Sequence, residues 1–134
     1  MRYLRLLLPV VLSALCLTAC GGARNAITIP LQPRHASGVD GVARLAPAGS
    51  GSRLTIELDA GDAPQGTTAA VYRGECRLLP TRAVTPRIAV EGGAARLHVD
   101  RAPRRLGDHA VALKRNGNVL ACGDVPAARP GAGS

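Results

Sequence analysis

The chain has 134 residues, a formal charge of +8, no Phe, no Trp and only two Tyr, at positions 3 and 72. That length supports one domain with one modest core, and without large rings the core must be assembled from Leu, Val, Ile and Ala, which bury less area each. The shortage of aromatics removes the stacking platforms on which single-stranded nucleic acid is bound, so the basic balance does not imply a nucleic-acid partner.

Taken in order, Arg2 and Arg5 precede an apolar run over residues 6–17, and small residues follow, the plan of an export signal. Pro9 interrupts the run, which is shorter than the roughly 20 apolar residues that a spanning helix needs. At its end, Leu17-Thr18-Ala19-Cys20 resembles the lipobox of bacterial lipoproteins. The resemblance implies a lipid on the Cys20 thiol and cleavage that leaves Cys20 as the first residue. Residues 1–19 would then be signal peptide and residues 20–25 a lipidated tether. It also implies an address in the bacterial cell envelope. Gly21 is not the aspartate that retains lipoproteins in the inner membrane, so the outer membrane, facing the periplasm, is expected. The competing reading is an ordinary secretory signal whose cut falls near a cysteine.

Residues 26–126 read as one β domain. Arg53-Leu54-Thr55-Ile56-Glu57-Leu58-Asp59 alternates strictly, with Leu54, Ile56 and Leu58 on one face. That is the period-two pattern of a half-buried antiparallel strand. Ala95, Leu97 and Val99 alternate in the same way with Arg96, His98 and Asp100. Residues 26–31, 39–46, 67–73, 87–91, 110–115 and 119–122 carry weaker strand patterns. Turn signals at 48–52, 61–66 and 92–93 separate them. Asn116-Gly117 between two apolar runs is the strongest hairpin signal, because both residues tolerate positive φ. No segment after the leader keeps a helical period. Short strands at this spacing predict a sandwich or small barrel, and residues 127–134, rich in Pro, Gly and Ala, read as a loose tail.

Between two of these strands, Arg101, Arg104 and Arg105 surround Pro103 and form the only tight basic cluster; the other arginines are spread out, and Lys114 is the single lysine. The cluster reads as a solvated loop or as a possible binding loop for anionic lipid or glycan.

Cysteine usage follows from the leader. Cys16 would depart with it and Cys20 would carry the lipid, leaving Cys76 and Cys122 as an even pair in a compartment where disulfides persist. Bridged, they would close a loop worth about 4 kcal/mol in the chain-entropy model; the alternative is two buried free thiols.

Two segments extend the comparison. Ala63-Pro64-Gln65-Gly66 leading to Gly74-Glu75-Cys76, and later Val119-Leu120-Ala121-Cys122-Gly123-Asp124, resemble the copper–zinc superoxide dismutases and the related bacterial CHRD-type domains, over roughly residues 38–126. The resemblance implies a Greek-key fold and a Cys76–Cys122 bridge. The fold class expected is therefore all-β, a small antiparallel Greek-key sandwich, immunoglobulin-like or superoxide dismutase-like. Aligned on Gly74 and Cys76, the family's paired histidine ligands fall on Ala70 and Tyr72, or on Val71 and Arg73 with a shift of one. Lys114 stands near the place of another histidine, and Val119 where the dismutases keep an arginine. Copper and zinc need converging imidazoles or carboxylates, so no metal or other cofactor is expected. His35, His98 and His109 share no ligand spacing.

Ser37, Ser50, Ser52 and Ser134 lie in linker-like or terminal stretches, and Glu57 with Asp59 reads as a solvated strand face. No catalytic residue is expected. The function expected is that of a membrane-anchored envelope lipoprotein with a non-catalytic binding or structural domain, its partner an envelope protein or glycan. Two alternatives are a degenerate dismutase-like metalloprotein on the surviving histidines, and an inhibitor of a periplasmic or host enzyme acting through the Arg101–Arg105 loop.

Overall fold

The computed structural model describes residues 26–127 apart from 60 and 62. The expected leader, the expected tether with Cys20, and residues 128–134 of the expected tail lie outside the described residues. Eight antiparallel strands make up the fold: β1 (Ile27–Pro33), β2 (Gly41–Ala48), β3 (Gly51–Leu58), β4 (Thr68–Arg73), β5 (Ile88–Ala89), β6 (Ala94–Val99), β7 (His109–Arg115) and β8 (Asn118–Asp124). Among the described residues two short 3-10 turns, Cys76–Leu78 and Pro103–Arg105, interrupt the connections. Among the described residues no helix is long and apolar enough to cross a membrane.

The strands run in the order β5-β4-β7-β8-β1-β2-β3-β6. The two outer strands meet across Gly92-Gly93, where Glu91 and Ala94 form an antiparallel bridge, so the sheet is nearly closed. Consecutive β4, β5 and β6 thus adjoin while β7 returns beside β4, the Greek-key order. β1 joins the two halves of the sandwich. Its residues 27–31 pair with β2, and Gln32 and Pro33 cross over to pair with Cys122 and Ala121 of β8.

Alternation builds the interior. Ile29, Leu31, Leu45, Leu54, Ile56 and Leu97 of the β1-β2-β3-β6 half meet Ala69, Val71, Val111, Leu113 and Ala121 of the other. Each fully buried Leu or Ile contributes about 2–3 kcal/mol. Turn chemistry agrees with the expectation. Asn116 and Gly117 both have positive φ, 52° and 80°, which matches the twist of the flanking strands. A bulge at Leu113/Lys114 leaves Leu120 outside the β7–β8 ladder. Its carbonyl instead accepts from the Arg34 N–H at 2.9 Å and the Ser37 hydroxyl at 2.5 Å.

Three sequence readings are corrected. The turn read at 48–52 is confined to Gly49 and Ser50, and Ser52 lies in β3, fully buried, donating to the Arg101 carbonyl at 2.5 Å. Ser37 and Ser52 are therefore tied to distant carbonyls instead of serving as linker residues. The strand read at 87–91 is only Ile88–Ala89, because beyond it the β4 edge bonds to the preceding loop: the Val71 N–H donates to Thr85 Oγ1, and the Val84 N–H to the Val71 carbonyl.

Candidate binding surface

The residues aligned above with ligand histidines fall on the β8-β7-β4-β5 half, with Ala70 and Tyr72 on its outer face. On β4, Ala70 and Tyr72 point away from the main core, whereas Val71 is inside it and Arg73 is exposed. Register sets Ala70 opposite Ala112 and Tyr72 opposite Ala110. The surface is therefore methyl groups around one phenol, and Tyr72 is 1% exposed.

Lys114 completes it, with Nζ 4.2 Å from the centre of the Tyr72 ring and within 3.4 Å of the Pro80 carbonyl. Burial, and secondarily the positive charge of Arg87, hold the Lys114 ammonium below its ordinary pKa. Alanines, a buried phenol and a fixed cation do not fit copper or zinc. Among the described residues no three His, Cys, Asp or Glu side chains converge in a way that could hold a metal ion.

The connection from β4 to β5 covers this face. Cys76 is disulfide-bonded to Cys122 of β8, Cα to Cα 5.8 Å, and its N–H donates to Asp124 Oδ1 at 2.8 Å. Leu79, Ala83 and Val119 pack with Tyr72, Ala110, Ala112 and Cys122 into a second small core. The staple thus closes a lid of chain over an apolar patch. Where Leu79, Pro80 and Thr81 approach Arg87, Lys114 and Val119, an open hollow of about 460 Å³ remains.

The Arg101–Arg105 segment divides in two. Arg101 turns back, its Nη1 3.4 Å from Nε2 of buried His109, so its guanidinium serves the fold. Asp108 Oδ1 approaches the other ring nitrogen at 2.6 Å but not in line for a hydrogen bond, leaving Nδ1 unsatisfied. Residual desolvation raises the pKa of the exposed Asp108, but the His109 ring, its own backbone N–H and, more weakly, Arg73 outweigh it, and the net shift is downward. His109 is thus tied into a cluster that its position in the sequence did not disclose. Arg104 and Arg105 end the 3-10 turn and are exposed.

A third surface escaped the sequence reading. On the outer face of the other half, cross-strand register aligns Thr28, Arg44, Thr55 and Arg96 in one row, with Ala46, Arg53 and His98 in the next. Arg44, Arg53 and Thr55 line a shallow hollow of about 520 Å³ with Ala26, Thr28 and Glu57. These arginines are far apart in sequence, and only strand pairing makes them neighbours. The strict alternation in β3 and β6 already put Arg53 and Arg96 on outward faces, and that was the available signal.

No family model, curated protein or solved structure matches this chain.

Proposed function

We propose that the chain is a bacterial envelope lipoprotein, held in the membrane through a lipid on Cys20, whose β-sandwich is a binding or structural domain without catalytic chemistry. The observation that carries the domain's part is the face built from Ala70, Tyr72, Ala112 and Lys114. Ala70, Tyr72 and Lys114, which one alignment of the resemblance sets at or near histidine positions, share a surface that is an apolar seat for a disulfide-stapled loop, and the shifted alignment sets Val71 in the main core and Arg73 in solvent. The anchoring part is supported by Leu17-Thr18-Ala19-Cys20 and the two glycines after it. The exposed arginines, on two surfaces, favour a negatively charged counterpart, and the partner expected is an envelope protein or glycan. An outer-membrane, periplasm-facing address follows from Gly21 under the sorting rule.

The test is intact mass of the membrane-extracted protein, together with metal analysis and a superoxide assay on the same preparation. A diacylglyceryl-type mass increment on the Cys20 peptide, no stoichiometric copper or zinc and no dismutation are expected. Stoichiometric metal with activity would overturn the non-catalytic reading.

A further inference from the structure

The end of the sandwich at which the chain enters gathers several of its arginines. β1 starts at Ile27 opposite Leu45, so Ala26 lies at the same end as the Gly49-Ser50 turn, the start of β3 and the end of β6. The Ser52–Arg101 hydrogen bond brings the Pro103–Arg105 turn to that end as well. Arg53, Arg104 and Arg105 are exposed there, with Arg44 and Arg96 further along the sheet face.

Charge at that end is unbalanced in one direction. Asp100 lies 3.4 Å from His98 Nε2, Asp108 faces Arg73 and His109, Glu75 pairs with Arg77, and Asp124 accepts from the Cys76 N–H; Glu57, in the hollow with Arg44 and Arg53, is among the described residues the one acidic group facing the sheet arginines there. None of Arg44, Arg53, Arg96, Arg104 and Arg105 has a side-chain hydrogen bond or an ion pair among the described residues. Asp40, Asp59 and Glu91 lie toward the other end, where the Asp59 N–H donates to the Asp40 carbonyl and Glu91 bridges to Ala94.

We propose that the chain-entry end is a membrane-facing surface, resting on anionic phospholipid headgroups through Arg53, Arg104 and Arg105, with Arg44 and Arg96 at its margin. This rests on the reading of Cys20 as the lipid carrier. Six residue steps separate Cys20 from Ala26, and even fully extended they reach only about 22 Å. The tether thus confines the entry end near the bilayer, and a headgroup field that fades over roughly 8 Å attracts whichever surface is both close and basic. The far end, where Asp40, Asp59 and Glu91 are accompanied by Arg34 and Arg115 and the charges are mixed, faces away and stays free for an envelope partner.

The full chain, extracted with its anchor and reconstituted into vesicles, tests this by per-residue phenylglyoxal labelling of arginines read by mass spectrometry. In vesicles with about 30% phosphatidylglycerol, labelling of Arg53, Arg104 and Arg105 is expected to fall about fivefold relative to pure phosphatidylcholine. Arg34 and Arg115, at the opposite end, serve as internal references and should not change. The variant R53Q/R104Q/R105Q should lose the phosphatidylglycerol-dependent protection of Arg44 and Arg96. Equal labelling in both vesicles, on protein whose mass carries the lipid, overturns the orientation and leaves the anchor standing. Protein without the lipid mass overturns both.

Discussion

The Lys114 ammonium stands 4.2 Å from the centre of the Tyr72 ring, and the two residues lie on adjacent strands, β7 and β4. The cation sits on the ring's negative face, while its stem and the ring cover neighbouring alanines. The pair also receives the covering loop, because the ammonium reaches the Pro80 carbonyl.

Replacing this cation while keeping its apolar stem isolates the charge. Lys114→Met loses the cation–π contact but also relieves the desolvation of the charge and its repulsion from Arg87, so the two effects offset and stability at neutral pH is expected to change by less than about 1 kcal/mol. The pH dependence has a definite sign. The folded-state pKa lies below the reference value of 10.5, so in the window between the two the unfolded chain holds more protons. Wild-type stability should therefore gain a rising component with pH through that window, and Lys114→Met should lack it. Urea unfolding of both proteins between neutral pH and pH ~10.5 measures the difference.

The disulfide joins residues 46 apart in sequence and holds the loop against the second small core. Cys76→Ser with Cys122→Ser should cost about 4 kcal/mol, mostly from the enlarged unfolded ensemble. The loss should not be uniform. Tyr72 lies directly beneath the loop, so its amide and ring should become exposed before the main core opens. Hydrogen exchange around residues 70–74 and tyrosine fluorescence report this. Unchanged protection there would mean that the loop holds without its staple.

Gly123 marks the seam where β1 crosses between the two halves of the sandwich. A Cβ there would collide with the Pro30 carbonyl and stand 2.7 Å from Ile29 Cγ2. The carbonyl belongs to the backbone of a strand fixed on both sides and has little room to move. Gly123→Ala is thus expected to cost about 2–3 kcal/mol, by analogy with overpacked cores. Gly117→Ala serves as a contrast: no atom crowds it, and its penalty comes only from φ +80. Thermal melts of the two variants separate steric wedging at the seam from conformational strain in a turn.

Much of this fold was legible in the sequence because period-two alternation is a local property. Leu54, Ile56 and Leu58, or Leu97 and Val99, disclose a buried face without knowledge of their partners. Asn116-Gly117 declares its turn through φ alone. Surfaces made by pairing were not legible. Arg44 and Arg96 share a row only because both pair with Thr55, a relation that depends on register and on which strands adjoin. Ser52 looked like a linker residue because Gly-rich surroundings mark turns on average. Its hydroxyl is buried because the partner, the Arg101 carbonyl, comes from a connection 49 residues away. The cysteine count suggested the staple, but only the structure discloses the patch of Tyr72, Ala110 and Ala112 beneath it.

The anchor reading can be separated from the domain's fold by one atom. Cys20→Ser removes the sulfur to which a lipid would be attached and leaves residues 26–127 unchanged. Among the described residues the buried core begins at Ile29, with Ile27 partly buried against it, and the Cys76–Cys122 bridge does not involve position 20. The variant should therefore keep the wild-type unfolding free energy within about 0.5 kcal/mol. It should nevertheless lose the lipid mass and its place in the membrane fraction. Fractionation with intact-mass measurement checks one half, and denaturant unfolding of the purified protein checks the other. A variant that stays in the membrane fraction with its mass increment intact would place the lipid elsewhere. A variant that loses stability would show that residue 20 contributes to the domain.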